Sequence, residues 1–112
     1  MPIANCIISS KCQIQHSKSI SLTDIWGKES GVSSKDMTVN IMTSTEQLGN
    51  TYDIMATLYL PSLWSKSEIS SIQLGLFNAL SSYFEITPDR VHVITSIVSS
   101  GLVVESGEEI EW

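Results

Sequence analysis

The spacing of hydrophobic positions along this chain alternates between strand-like and helix-like segments, and each change marks an element. Residues 3–10 carry Ile3, Ile7 and Ile8 in both alternating sets. That pattern predicts a central β-strand covered on both faces. Over 17–30 the apolar residues Ile20, Leu22, Ile25 and Trp26 predict a helix that Gly27 interrupts, with Gly31 placed to cap its end. Residues 37–43, MTVNIMT, read as a second strand, and the turn chemistry of 44–53 centres on Gly49 and Asn50. A third strand, IMATLYL, covers 54–60. The clearest helix signal follows. Ser65 and Glu68 form an S-x-x-E capping box, and Ile69, Ile72, Leu76, Leu80 and Phe84 make one apolar stripe behind it. The segment ITPD predicts the helix end, because the residue before Pro88 is pushed out of the α region. RVHVITSIV, 90–98, reads as a fourth strand, with short extended pieces expected near 102–104 and at the C-terminus.

The element order is strand, helix, strand, twice. A shift of 53 positions lays Asp36 on Asp89, Ile41 on Ile94, Ile3 on Ala56 and Pro2 on Met55. This predicts two pseudo-repeats, about 2–44 and 54–98, in a single domain over 1–112. The expected class is α+β: two βαβ units forming a four-stranded mixed sheet with two helices on one face. The other face would then lie bare, although large apolar residues occupy both alternating sets. Fully burying each such side chain is worth roughly 1.5–3 kcal/mol. With no third helix available, other copies of the chain are the expected cover.

Charge narrows the function. Six Lys and Arg stand against twelve Asp and Glu, a net charge of −6, which argues against nucleic acid or an anionic membrane as a partner. Glu105, Glu108, Glu109 and Glu111 crowd the C-terminus and read as a solvated tail. Cys6 and Cys12 lack CxxC spacing and read as free thiols of a reducing, cytoplasmic compartment. No apolar run approaches the roughly 20 residues of a membrane span, and no secretory signal is visible. Leaderless secretion stays open. His16 has no partner pattern, no His, Cys and Asp cluster has metal spacing, and no cofactor is expected.

The chemistry centres on Pro2. A proline can simply start a strand; alternatively, Met1 is removed and the proline nitrogen acts. Order, length and the segments MPIA, SGVSSKDMTVNIM, DIMATLYLPSL and EITPDRVHVI together resemble the tautomerase superfamily, in particular its macrophage migration inhibitory factor branch, while PIANCII is also similar to the oxalocrotonate tautomerase branch. The resemblance implies a homotrimer. It also implies keto–enol tautomerisation of a small keto or enol acid, with Pro2 as general base. A free α-amino group titrates at about 7.7–8.0, and an apolar setting from Ile3, Leu63 and neighbouring subunits lowers that value.

Several helper positions depart from the family pattern. Where the family commonly has a lysine after the helix-capping glycine stands Val32, with Lys35 three residues on as the candidate to hold a carboxylate. In the turn after the third strand stand Leu63, whose N–H is the expected donor, and Trp64. His92 and Ile94 occupy the fourth-strand positions that face a neighbouring pocket. The expected substrate-binding set is therefore Lys35, Leu63 and His92 around the catalytic Pro2. Arg90 is expected to pair with Asp89 or another carboxylate, and Trp26, Trp64 and Trp112 to pack. Two other classes stay open. One is a trimeric binding or signalling protein with a protein receptor. The other is a hydratase or decarboxylase, which wants an arginine or carboxylate beside the proline; none is evident in the sequence.

Overall fold

A computed structural model describes residues 1–11 and 21–112; Cys12, His16 and the expected helical residues 17–20 lie outside them. The strands are β1 (Ile3–Ser9), β2 (Thr38–Ser44), β3 (Ile54–Pro61) and β4 (Val91–Val98), with helices α1 (Leu22–Ser30) and α2 (Lys66–Phe84). The sheet order is β2-β1-β3-β4. β1 and β2 are parallel, as are β3 and β4, while the central β1 and β3 are antiparallel. This is the expected mixed sheet of two βαβ units. Alternate residues Ala4, Cys6 and Ile8 of β1 and Ile54, Leu58 and Leu60 of β3 are buried in one cluster with Leu22 and Trp26 of α1 and Ile72, Leu76 and Leu80 of α2. Trp26 packs as expected, and its indole Nε1–H donates to the Ile72 carbonyl at 3.0 Å. Burial pushes the free Cys6 thiol up to about 12, so it is an inert part of the core.

Local chemistry sets the helix ends. Ser65 Oγ accepts from the Glu68 N–H at 3.2 Å and the Glu68 carboxylate accepts from the Ser65 N–H at 2.9 Å, completing the capping box. Gly31 caps α1 at φ 73°. Two expectations need correction. Gly27 does not interrupt α1; it is buried inside the helix. A Cβ there would lie 2.8 Å from the Val32 carbonyl oxygen, so the glycine lets the chain turn back across the helix. α2 also stops before Pro88 can act, because Glu85 takes the left-handed conformation at φ 54°; Pro88 instead opens the 3₁₀ turn Pro88–Arg90.

The 53-residue repeat is corrected as well. Leu22 and Leu76, Trp26 and Leu80, the left-handed caps Gly31 and Glu85, and the 3₁₀ turns Ser34–Asp36 and Pro88–Arg90 are each 54 positions apart. Thr38 then corresponds to His92. Thr38 is opposite Ile3, and His92 is opposite Met55, so the first strands correspond at a shift of 52. A shift of 53 in the strands would lay Ile7, 41% exposed, on the fully buried Leu60, turning the strand over. The counterpart of Pro2 is thus Ile54.

The face away from the helices carries Ile7, Met42 and Ile94, the last two 49% and 53% exposed, around a bond from Asn40 Nδ2–H to Asn5 Oδ1 of 2.8 Å. It is the bare face that the pattern predicted. The acidic end is not a tail. Val103–Glu105 (β5) and Glu108–Ile110 (β6) form an antiparallel hairpin. Ser106 and Gly107 supply its turn at φ 52° and 78°, the paired positive φ of a type I′ turn. The hairpin docks through the Gly101 N–H on the Ile110 carbonyl, 2.9 Å, and the Trp112 indole N–H on Ser62 Oγ, also 2.9 Å.

Candidate active site

Pro2 is buried at the head of β1, and its carbonyl accepts from the Thr38 N–H at 3.0 Å. A strand head tolerates proline because no ladder donor is lost there. Continuing the register of Ile3 opposite Tyr59 sets Pro2 beside Leu60 and Met1 beside Pro61. Met1 lines a cavity of about 260 Å³ that Leu63 and Trp64 also line; Pro2, bonded to Met1 through its nitrogen, is not itself among the described residues lining it. The hairpin closes the other side with Val103, Ile110 and Trp112. The only titratable side chains among the described residues lining it are Glu105 and Glu111. Joined to Met1, the Pro2 nitrogen is an amide without basicity. Freed of Met1, it is a secondary amine next to the place that Met1 holds in this largely apolar space.

The structure brings only part of the expected set together. Leu63, 60% exposed, lines the cavity. Val32 lines an adjoining groove of about 300 Å³ at the start of α2, and Trp64 is common to both spaces. Glu68 also lines that groove, its carboxyl held below the usual range by hydrogen bonds from the Ser65 backbone and side chain. Lys35 is exposed on the Ser34–Asp36 turn and is not among the described residues lining either space.

His92 lies toward the other end of the sheet. It is opposite Met55, whereas Leu60, beside Pro2, is opposite Ile97. Five residues of strand separate these rungs, about 17 Å at roughly 3.3 Å per residue. Within one protomer His92 and Pro2 do not meet. The His92 ring lies 4.8 Å from that of Tyr52, and its buried Nδ1 has no hydrogen-bond partner among the described residues. Arg90 pairs with a carboxylate as expected, that of Asp53 rather than Asp89, at 3.4 Å. Both line a polar cavity of about 260 Å³ at this end, together with Ser9 and Lys11.

Sequence reasoning expected short extended pieces here but not that they pair or reach this cavity. It found no carboxylate near Pro2, yet folding brings Glu105 and Glu111 to the cavity that Met1 lines. The available signal was the Ser106-Gly107 turn between two apolar pairs, Val103-Val104 and Ile110 with Trp112. Among the described residues no group of three His, Cys, Asp or Glu is placed to hold a metal, and no helix is long and apolar enough to cross a membrane.

No family model and no curated protein matches the sequence. Solved structures do match. A fused 4-OT asymmetric trimer superposes with TM-score 0.77 at 9% identity, over 96% of this chain and 94% of that one. Pt0534 inactivated by 2-oxo-3-pentynoate gives 0.73 at 13%, over 97% and 94%. Macrophage migration inhibitory factor from Oncomelania hupensis gives 0.70 at 14%, over 99% and 83%. The chain has the fold that these structures share. At these identities the tautomerase likeness is one of architecture, and the chemistry must be argued from this chain's own side chains.

Proposed function

We propose that this chain is a tautomerase of small aryl or alkyl pyruvate-type keto–enol compounds, assembled as a homotrimer, with the Pro2 nitrogen as general base after Met1 is removed. The observation that carries this is that Pro2 is buried at the head of β1 and bonded to Met1, which lines a mostly apolar cavity. An amine there is driven toward its neutral form by desolvation. It takes a proton from the carbon beside the substrate carbonyl, the electron pair moves onto the carbonyl oxygen as an enolate, and that oxygen takes up a proton from water or from the protonated proline to give the enol. The Leu63 backbone N–H is the donor we assign to that oxygen. His92 contributes only from another protomer, since its own Pro2 is too far away.

The trimer follows from the bare sheet face with Ile7, Met42 and Ile94. Sedimentation at micromolar concentration is expected to give three chains; a stable folded monomer overturns the assembly.

The direct test of the base uses 2-oxo-3-pentynoate, the compound that inactivated Pt0534. Its alkyne is conjugated to a ketone, so a nucleophilic amine adds at the alkyne carbon remote from the carbonyl. The displaced π pair ends on the inner alkyne carbon, which takes up a proton. Intact mass is expected to show a chain without Met1 carrying one equivalent, mapped to the Pro2 peptide. Met1-free protein that stays unmodified removes this reading. It favours the second one, a trimeric binding protein with a protein receptor, for which Val32 and Ile94 at the helper positions speak.

A further inference from the structure

We infer that the cavity at Pro2 selects keto–enol compounds without a negative charge, esters and neutral ketones over free keto acids, and that Glu105 and Glu111 set this preference. The inference rests on the proposed proton transfer at Pro2 and names its substrate class. Glu105 and Glu111 line the cavity with apolar and aromatic neighbours, and no Lys or Arg is among the described residues that line it. The described cations lie elsewhere. Lys11 and Arg90 line the cavity at the opposite end of the sheet, Arg90 already paired with Asp53. Lys28, Lys35 and Lys66 are exposed and line neither this cavity nor the adjoining groove. That groove adds a further carboxylate, Glu68, behind Trp64.

A substrate carboxylate entering here meets like charge and finds no cation to replace its water. A neutral carbonyl compound meets mostly apolar and aromatic walls, is not repelled by the two carboxylates, and loses little on desolvation. Both glutamates are exposed, so solvent and salt screen the repulsion, and each is worth a few-fold in rate, about threefold to tenfold for the pair.

The test compares phenylpyruvate with its methyl ester in the assembled protein, Met1 shown to be absent by mass. The ester is expected to give the higher kcat/KM. In Glu105→Gln/Glu111→Gln the ester-to-acid ratio is expected to fall about threefold to tenfold, and the wild-type ratio to shrink as salt rises. The readout is the ratio, which a general loss of packing does not move. Acid turned over faster than ester, or a ratio untouched by the substitutions, overturns this inference and leaves the Pro2 base standing. Pro2-independent rates with both compounds overturn the two together.

Discussion

Pro2→Gly protein, freed of Met1, is expected to turn over an aryl pyruvate-type enol with kcat/KM about 10²-fold below the unaltered chain. A positioned general base contributes about 10²–10⁴ in rate, and glycine retains a primary amine, which sets the loss near the lower end. What disappears is the secondary-amine basicity and the ring that fixes the nitrogen. Because the base acts in the transition state, the fall belongs in kcat more than in KM. The rate should also rise with pH as the ammonium gives up its proton. A form that keeps Met1 has an amide at this position and should be inert to the same chemistry. Equal rates in Met1-free wild type and Pro2→Gly would sink the enzymatic reading.

The second large effect is on stability. Gly75→Ala is expected to destabilise the fold by about 1–3 kcal/mol, the usual cost of overpacking a close-packed contact. A Cβ at Gly75 would lie 2.0 Å from Ser30 Oγ and 3.0 Å and 3.1 Å from Ser30 Cβ and Cα. Rotating the hydroxyl removes the first clash, but the other two are fixed to the α1 backbone, so the helices must part. The intrinsic helix preference of alanine, about 1 kcal/mol over glycine, offsets some of this. The partner substitution should act oppositely. Ser30 Oγ is buried with no hydrogen-bond partner among the described residues, so Ser30→Ala should be neutral or stabilising. Chemical denaturation of the three proteins checks both signs; a Gly75→Ala chain as stable as wild type would show that the helices are not packed as described.

The elements that sequence made legible are those whose signal is local. The Ser65–Glu68 box and the stripe from Ile69 to Phe84 need only their own neighbours, and α2 begins and runs as they require. Gly31 likewise needs only its own positive φ. Gly27 was misread because its role depends on the Val32 carbonyl folding over it, a contact no helical periodicity encodes. Extended pieces near 102–104 and at the C-terminus were legible, but their pairing into a hairpin was not, because Val103–Glu105 and Glu108–Ile110 are too short to show a period. Its carboxylates reach the cavity from the far end of the chain, so local spacing cannot place them near Pro2. His92 was separated from Pro2 by the antiparallel pairing of β1 with β3, which sends the start of β4 to the opposite end of the sheet.

That same pairing makes the two ends of the sheet unequal heirs of one design. Ile54 stands where Pro2 stands in the other half, but Asp53 precedes it within the continuous chain. No trimming of the N-terminus can free an amine at Ile54. Proton transfer by a backbone nitrogen is therefore closed to that end, and its side chains are released from the apolar demands such a nitrogen makes. The ion pair between Asp53 and Arg90 shows that freedom in use: it sits in a polar hollow, whereas the counterpart that Met1 lines is walled mostly with apolar and aromatic residues, alongside the exposed Glu105 and Glu111. Each chain can thus carry this chemistry at one end only, and its halves are bound to diverge even while they keep a common shape.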